Sequence, residues 1–362
     1  MKNIIVTLLV TGSALAQGKL EEVARFDKNQ PIGVAVEYTT NRVFVSFPHN
    51  EPFLYGLTEI KDGQRVPYPN AEWNTYQPTP DDAHFNNVQD LYIDDKGYLW
   101  VLDSKPAGSA SVFGDDGKKQ DGQFKLLQIN LADNSVTKIY HFKGLDQAKS
   151  GLNDIRVDTS RNLAYLSDPG QKAIVVLNLA DDTVRLVLQN DASTTITPGY
   201  VLEIDGRKMV DEAGKPFTSD VNGIALTKDN RLFYYKPINK DELFVIETKY
   251  LADAGLTDNN LRAKLKTVGA KVGVTHGLEC DDKGHVYFGH SPSHSIKYVN
   301  RFDGTVHTLV TDDRIIWPDS FGIGSDGYLY FSAAQLNRQP KWNNGEDLVE
   351  YPYRLYRVKL AD

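Results

Sequence analysis

The chain has 362 residues, 41% of them hydrophobic and 24% charged, with 48 acidic against 40 basic side chains and a formal net charge of −8 at pH 7. That balance argues against a nucleic-acid partner, which wants a basic face; an acidic funnel or cleft would favour cations, metals or amines. A single cysteine, Cys280, excludes any intramolecular disulfide.

The chain opens MKNIIVTLLVTGSALAQG. Lys2 supplies a positive start, Ile4 to Val10 an apolar stretch, and Ala14 and Ala16 the small residues that a signal peptidase reads. Residues 1–16 are therefore expected to be a signal peptide, and the mature protein to be secreted, extracellular or periplasmic. The stretch is too short for a membrane span, and no later one is apolar enough.

An alternating segment, residues 20–26, comes next. Then a short pattern occurs six times: PIGVAVEYTTNRVFVSF from Pro31, VQDLYIDDKGYLWVLD from Val88, LNDIRVDTSRNLAYLSD from Leu152, VNGIALTKDNRLFYYK from Val221, THGLECDDKGHVYFGH from Thr275 and PDSFGIGSDGYLYFSA from Pro318. Each copy has alternating apolar residues, a polar turn of Asp, Asn and Gly, then a β-branched or aromatic run, which is the signature of a strand, a tight turn and a second strand. Successive starts lie about 43 to 69 residues apart, the span of a four-stranded blade with variable loops. The expected fold is all-β, a six-bladed β-propeller, with residues 17–362 as one domain. Segments 124–130, 173–179, 243–248 and 296–301 read as outer strands. Residues 250–266 read as one short packing helix through Ala252, Leu256, Leu261 and Leu265. Residues 353–360 alternate like 20–26, and the two segments are expected to share a sheet. Cys280, between Leu278 and the turn at Asp281, reads as a buried core thiol. Three connections are longer than a blade needs: 65–87, with Trp73, Tyr76, His84 and Phe85; 104–123, rich in Gly, Asp and Lys; and 190–220, with a hairpin at 200–210.

Aligned on their turns, the repeats place Ile32, Gln89, Asn153, Asn222, His276 and Asp319 just before the inner strands, a ring at one mouth of the axial funnel. Ser46, Asp103, Asp168, Lys236, His290 and Ser332 are expected as an outer rim on the same face. Oxygen donors at Asn153, Asn222 and Asp319 suit a hard cation such as Ca²⁺; no organic cofactor is expected. The histidines His290 and His294 lie four apart on a loop, a weak zinc pattern. Asp94–Gly97 and Asp281–Gly284 resemble calcium loops in composition only and read as β-turns.

The stretches QDLYIDDKGYLWVLDS, LNDIRVDTSRNLAYLSD and WPDSFGIGSDGYLYFSA, and PYPNAEWN from Pro67, resemble the major royal jelly protein/Yellow family over nearly the whole mature chain. The resemblance implies a secreted six-bladed propeller with a ligand pocket in its channel. The chain lacks the cysteines of the insect members. More distantly it resembles calcium-dependent lactonases of the gluconolactonase/senescence-marker type, which place a Glu, two Asn and an Asp on one metal. Asn153 and Asn222 match the Asn sites, while Ile32 and His276 stand where the Glu and Asp would be.

Two functions are compatible with these residues. In an enzyme, a metal on Asn153, Asn222 and Asp319 would polarise a lactone, ester or tautomerisable carbonyl, with His276 as general base and Asp319 as its partner. In a binding protein, Trp73 and Tyr76 would cover a small amine or aromatic ligand, with Gln89, Asp103, Asp168 and His290 lining its site. Either way the expected partner is a small molecule, and the protein is expected to be a monomer.

Overall fold

The computed structural model describes residues 18–77, 79–105 and 124–361. The leader expected at 1–16 and nearly all of the connection 104–123 lie outside them. Six four-stranded antiparallel sheets form the six blades of a β-propeller. Their innermost hairpins are Val34–Val36 with Val43–Ser46, Val88–Ile93 with Tyr98–Asp103, Ile155–Asp158 with Leu163–Asp168, Val221–Leu226 with Leu232–Pro237, Leu278–Cys280 with Val286–His290, and Pro318–Ile323 with Tyr328–Ala333. These are the six repeats. The inner strands touch in a circle that closes where blade six meets blade one.

The turn chemistry explains why these segments fold as hairpins. Each inner turn passes through a left-handed residue: Asn41, Gly97, Asn162, Asn230, Gly284 and Gly327. Only Gly, and Asn at modest cost, adopt that conformation readily. Aspartates fasten the turns: Asp94 accepts backbone N–H groups of Lys96 and Tyr98 at 2.9 and 3.0 Å and the Trp100 indole at 2.8 Å. The Asp94 and Asp281 segments are thus turns joining strands, as expected, and not calcium loops.

The core lies between blades rather than on the axis. Trp100, Leu102 and Leu126 of blade two pack on Ile155, Leu166 and Val175 of blade three. Each such side chain contributes about 1.5–3 kcal/mol by leaving water. Cys280 is fully buried; burial pushes its thiol up, which removes thiolate reactivity. Third and fourth strands follow in order in blades one to five. In blade six the third strand is Arg354–Lys359 and the outermost is Glu21–Arg25, so the two terminal segments do share a sheet.

One element differs from expectation. Residues 250–266 form not one helix but two single turns, Thr248–Ala252 and Asp258–Arg262, and then the outermost strand of blade four, Lys266–Thr267. The break follows from Asp253, whose carboxylate accepts from Gly255 at 2.8 Å, and from Thr257, which starts a new helix in a capping box with Asn260. Of the expected face, Leu261 is buried and Ala252, Leu256 and Leu265 are half-buried; Leu251, outside that face, is buried as well.

Candidate functional site at the channel mouth

The strand registers place Ile32, Gln89, Asn153, Asn222, His276 and Asp319 at equivalent positions. Each stands two residues before a matching paired residue of its inner strand: Val34, Leu91, Ile155, Ile224, Leu278 and Phe321. Two members of this ring touch directly, since the Gln89 amide donates to Oδ1 of Asn153 at 3.2 Å. Asn153 in turn donates to Asp154 at 2.6 Å, and Asn222 donates to Ser219 at 3.3 Å.

The next residue along is Gly33, Asp90, Asp154, Gly223, Gly277 or Ser320, and here the blades meet. A Cβ on Gly223 would sit 1.8 Å from the His276 carbonyl oxygen, and one on Gly277 1.9 Å from that of Asp319. In blades two and three an aspartate takes this place. Asp90 accepts from the backbone N–H of Ile155 in the next blade at 2.9 Å, and Asp154 from that of Ile224. Below them the buried guanidinium of Arg156 crosses from blade three to the Leu278 carbonyl of blade five at 2.7 Å. It lies 3.4 Å from Asp90 and 3.5 Å from Glu279. The channel is therefore bridged by charged side chains beneath the ring. Asp90 and Arg156 are not among the residues expected from the sequence, although Gln89-Asp90 and Asn153-Asp154 repeat one polar pair at one repeat position.

The charges do not cancel at this mouth. Burial pushes the Asp90 carboxyl up against the pull of Arg156. Burial, with the charges of Asp90 and Asp319 beside it, pushes Asp154 well above the usual carboxylate range. Asp319 is partly accessible, and desolvation raises it to about 7 against the opposing hydrogen bond from Trp317, with Asp90 adding to the rise. That hydrogen bond, from the indole N–H at 3.1 Å, is the contact that orients Asp319.

His276 departs from the expected general base. It is fully buried and stacks on Trp317 at 3.7 Å between ring centres, 18° from parallel. Its Nε2 pairs with the Ser291 hydroxyl at 2.9 Å. Burial, then the nearby Lys236 and His290, hold the imidazole well below its ordinary value. A neutral, enclosed ring of this kind positions Trp317, and through it Asp319, rather than taking up protons near neutral pH.

The outer rim also needs correcting. In register, Ser46, Lys236 and Ser332 share one position, whereas Asp103, Asp168 and His290 occupy the next. Successive residues of a strand face opposite sides, so the six do not form one ring. The Ser46 hydroxyl donates to the Gln89 carbonyl at 3.0 Å and that of Ser332 to Ile32 at 2.7 Å, each tying one blade to the next. Asp103 is enclosed by the N–H groups of Asn86 and Asn87, with Lys125 at 3.5 Å. Asp168 is enclosed by Ser150, Gly151 and Gln171. Both carboxylates organise loops instead of facing a ligand. His290 pairs with Ser293 at 2.6 Å and His294 with Asp205 at 2.6 Å, so the two histidines do not converge.

Trp73 and Tyr76 do not cover the ring. Trp73 packs on Phe85 against blades one and two, and Tyr76 on His49 at 4.1 Å. Asn74 holds this loop to Gly56 and Leu57, at the start of blade one's third strand. The cover comes instead from the 190–220 connection, whose hairpin pairs Glu203–Ile204 with Arg207–Lys208. Its Leu202, Met209 and Phe217 form one apolar cluster with Ile32, Trp317 and Leu336. Phe217 meets Trp317 edge-on at 5.4 Å and Trp342 at 5.5 Å.

In kind, the donors fit a calcium-type ion. Asn153, Asn222 and Asp319 offer hard oxygens at one ring level, and the carboxyls of Asp90 and Asp319 add to the burial that raises the proton affinity of Asp154, a cost that a divalent cation would remove. Oδ1 of Asn153 already accepts from Gln89, and Ile32 stands where a further ligand would. Among the described residues no three His, Cys, Asp or Glu side chains converge as a metal cluster.

Known proteins share this architecture. The gluconolactonase of Xanthomonas campestris aligns over 98% of this chain and 94% of its own, with a TM-score of 0.56 at 11% identity. The calcium-binding protein regucalcin of Agrobacterium tumefaciens aligns over 94% and 96%, with a TM-score of 0.52 at 12% identity. At such identities the likeness establishes the fold alone. Major royal jelly protein 5 of Apis mellifera is 22% identical over 249 residues, 65% of this chain but 38% of the bee protein, so the chain matches well under half of that relative's length. The family model described as Major royal jelly protein matches residues 86–361, from the second blade to the end of the sixth, and the chain belongs to that family.

Proposed function

We propose that the channel mouth is a small-molecule site with metal-assisted hydrolase or isomerase chemistry, acting on a lactone, ester or tautomerisable carbonyl, in a protein exported by the leader at 1–16. The observation that carries this reading is the set of oxygen groups at the mouth: Asn153, Asn222 and the partly accessible Asp319 on one ring, above Asp90 and Asp154, with Arg156 the guanidinium among them. A cation held by Asn153, Asn222 and Asp319 would polarise the substrate carbonyl. Asp319 holds or releases a proton at its carboxyl, and the Trp317 indole fixes which way that carboxyl points. His276 keeps Trp317 in place. Phe217 and the rest of the cover exclude water from this side of the ring, which strengthens every charge interaction beneath it.

The same uncompensated charge supports a second reading, a non-catalytic site for a small amine or aromatic cation. One experiment separates the two. Protein purified without added metal is subjected to elemental analysis, then melted with chelator and with calcium, and assayed on lactone and ester panels. Bound metal, a calcium-dependent rise in melting temperature and turnover that Asp319→Asn abolishes support the enzyme. No metal, no turnover and saturable amine binding overturn it in favour of the binder.

A further inference from the structure

The cover over the channel mouth is held differently at its base and at its tip. At the base the Tyr200 hydroxyl donates to Asp241 at 2.8 Å, and the buried Asn239 amide donates to the carbonyls of Tyr200 and Phe217 at 3.2 and 2.9 Å. Leu202 and Met209 are sunk in the apolar cluster around Trp317. Beyond them the hairpin turns through Asp205 and Gly206, both left-handed at φ 55° and 71°, the type I′ turn that an Asp-Gly pair favours. On one side the hairpin borders an open cavity of about 350 Å³ in front of the segment 337–350, which leaves the tip room to move. On the other side it is fastened through Asp205, whose Oδ1 lies 2.6 Å from Nε2 of His294.

His294 is a fixed post. Its backbone ends the turn Ser291–Ser293 at φ 44°; its N–H donates to the Ser291 carbonyl at 3.2 Å, and its own carbonyl accepts from Asp312 at 3.0 Å. Nδ1 of the ring donates to the Ile315 carbonyl at 3.0 Å. A carbonyl oxygen only accepts, so Nδ1 carries a proton. A carboxylate oxygen also only accepts, so Nε2 must carry one too. Both bonds exist together only when the ring is an imidazolium, or when Asp205 is itself protonated and donates to Nε2. Either form holds one proton more than a neutral histidine beside a free carboxylate.

The surrounding elements carry other charged groups. The hairpin also bears Glu203, Arg207 and Lys208. The segment after blade five bears Asp312, paired with Arg314 at 2.6 Å, and Asp313. On the histidine's own side stand His290, bonded to Ser293 at 2.6 Å, and Lys297. Among the described residues, Asp205 is the charged side chain bonded to the ring.

We propose that His294 and Asp205 form a proton-held latch, which closes the cover over Trp317, His276 and Asp319 in acid and frees it as pH rises. The latched state binds one proton more than the released one, so taking protons away favours release. A charge-assisted bond is then lost, and a bare Nε2 faces a carboxylate with no hydrogen between them. The device governs access to the mouth and holds for either reading of the chemistry there.

The test is hydrogen–deuterium exchange of the full chain at about pH 5.5 and about pH 8.5, either side of the range in which histidine ordinarily gives up its proton. The readout is the protection of the 200–210 amides, with the intrinsic pH dependence of exchange divided out. Wild type is expected to lose about tenfold or more of that protection at the higher pH. His294→Asn suits the left-handed backbone and removes the ring; it should show the low protection at both pH values. Asp205→Asn keeps the turn, since Asn-Gly also favours type I′, and its amide can accept from Nε2 or donate to it. That variant should stay protected throughout, changing by less than about threefold. Asp319 and Lys236, brought to about 7 beneath the cover, are present in both variants, so an effect of theirs would persist in Asp205→Asn. Equal wild-type protection at the two pH values, a loss in Asp205→Asn as large as in wild type, or His294→Asn as protected as wild type in acid each overturns the proposal.

Discussion

Replacing Asp319 by Asn tests the electrostatics of the channel mouth most directly. Desolvation raises this carboxyl from 3.8 to about 7, so the folded state favours its neutral form. The sign follows: an acid with a raised folded value contributes stability that is fully present below about pH 4 and is lost as pH climbs through about 7. Three units at 1.36 kcal/mol each set a ceiling of about 4 kcal/mol, and relaxation around a partly accessible group brings the expected effect to about 2–4 kcal/mol. Asn carries the neutral shape at every pH and its Oδ1 still accepts the Trp317 indole. Metal-free wild type and Asp319→Asn should therefore melt together near pH 4, and at pH 8 the variant should be the more stable. With about 2.1 cal/mol/K of unfolding entropy per residue in a 362-residue chain, that gap is about 3–5 °C. Scanning calorimetry from pH 4 to 8 reads it. Calcium, if held at the ring, compensates the ionised carboxylate, so adding it should shrink or reverse the gap at pH 8. A gap that is the same at all pH values in metal-free protein would refute the reasoning.

Three further outcomes are expected. Gly223→Ala and Gly277→Ala each drive a methyl group into a neighbouring blade's carbonyl, at 1.8 and 1.9 Å, and should cost about 3 kcal/mol or more in urea unfolding, or yield insoluble protein. Lys236 is fully buried, with its ammonium bonded to the carbonyls of Pro237 and Ile238, and burial lowers it to about 7; Lys236→Met should stabilise the protein by about 1–3 kcal/mol at pH 6, with the gain falling as pH rises toward 10. Phe217→Ala removes the ring between Trp317 and Trp342 and should cost about 3 kcal/mol; His276 should then react with diethyl pyrocarbonate, to which it is closed in the wild type.

Local chemistry was legible in the sequence where it is periodic. Alternation and left-handed Asn and Gly mark all six inner hairpins, and the matching patterns of 20–26 and 353–360 announced the shared closing sheet. The ring of six could be found because it stands at a constant offset from those turns. The outer rim went wrong by one residue, because the second strands end at different points and a one-residue slip exchanges the faces, separating Ser46 from Asp103. The single helix expected at 250–266 failed at Asp253 and Thr257, whose caps outweigh the apolar spacing on either side. The cover was assigned to Trp73 and Tyr76 rather than to Phe217, since both loops are aromatic and only packing between distant segments decides which one reaches the axis. The low proton affinity of His276 depends on Trp317, Lys236 and His290, which no spacing rule brings together.

The closing sheet bears on how such a chain reaches its native state. Arg357 pairs with Glu21 across 336 positions, so the blade that seals the circle draws on both extremes of the polypeptide. During vectorial synthesis the opening strand has no partner until the last strand has been made. Until then the assembly is an arc with two raw β-edges, each a template for pairing with another molecule. A contact of such sequence separation is a slow one to form. Once it is made, no blade can leave without breaking a neighbour's contacts; if the late-formed seam between Glu21–Arg25 and Arg354–Lys359 is also the first to open, a disulfide across it would act on the lifetime of the native state by slowing escape rather than by speeding arrival.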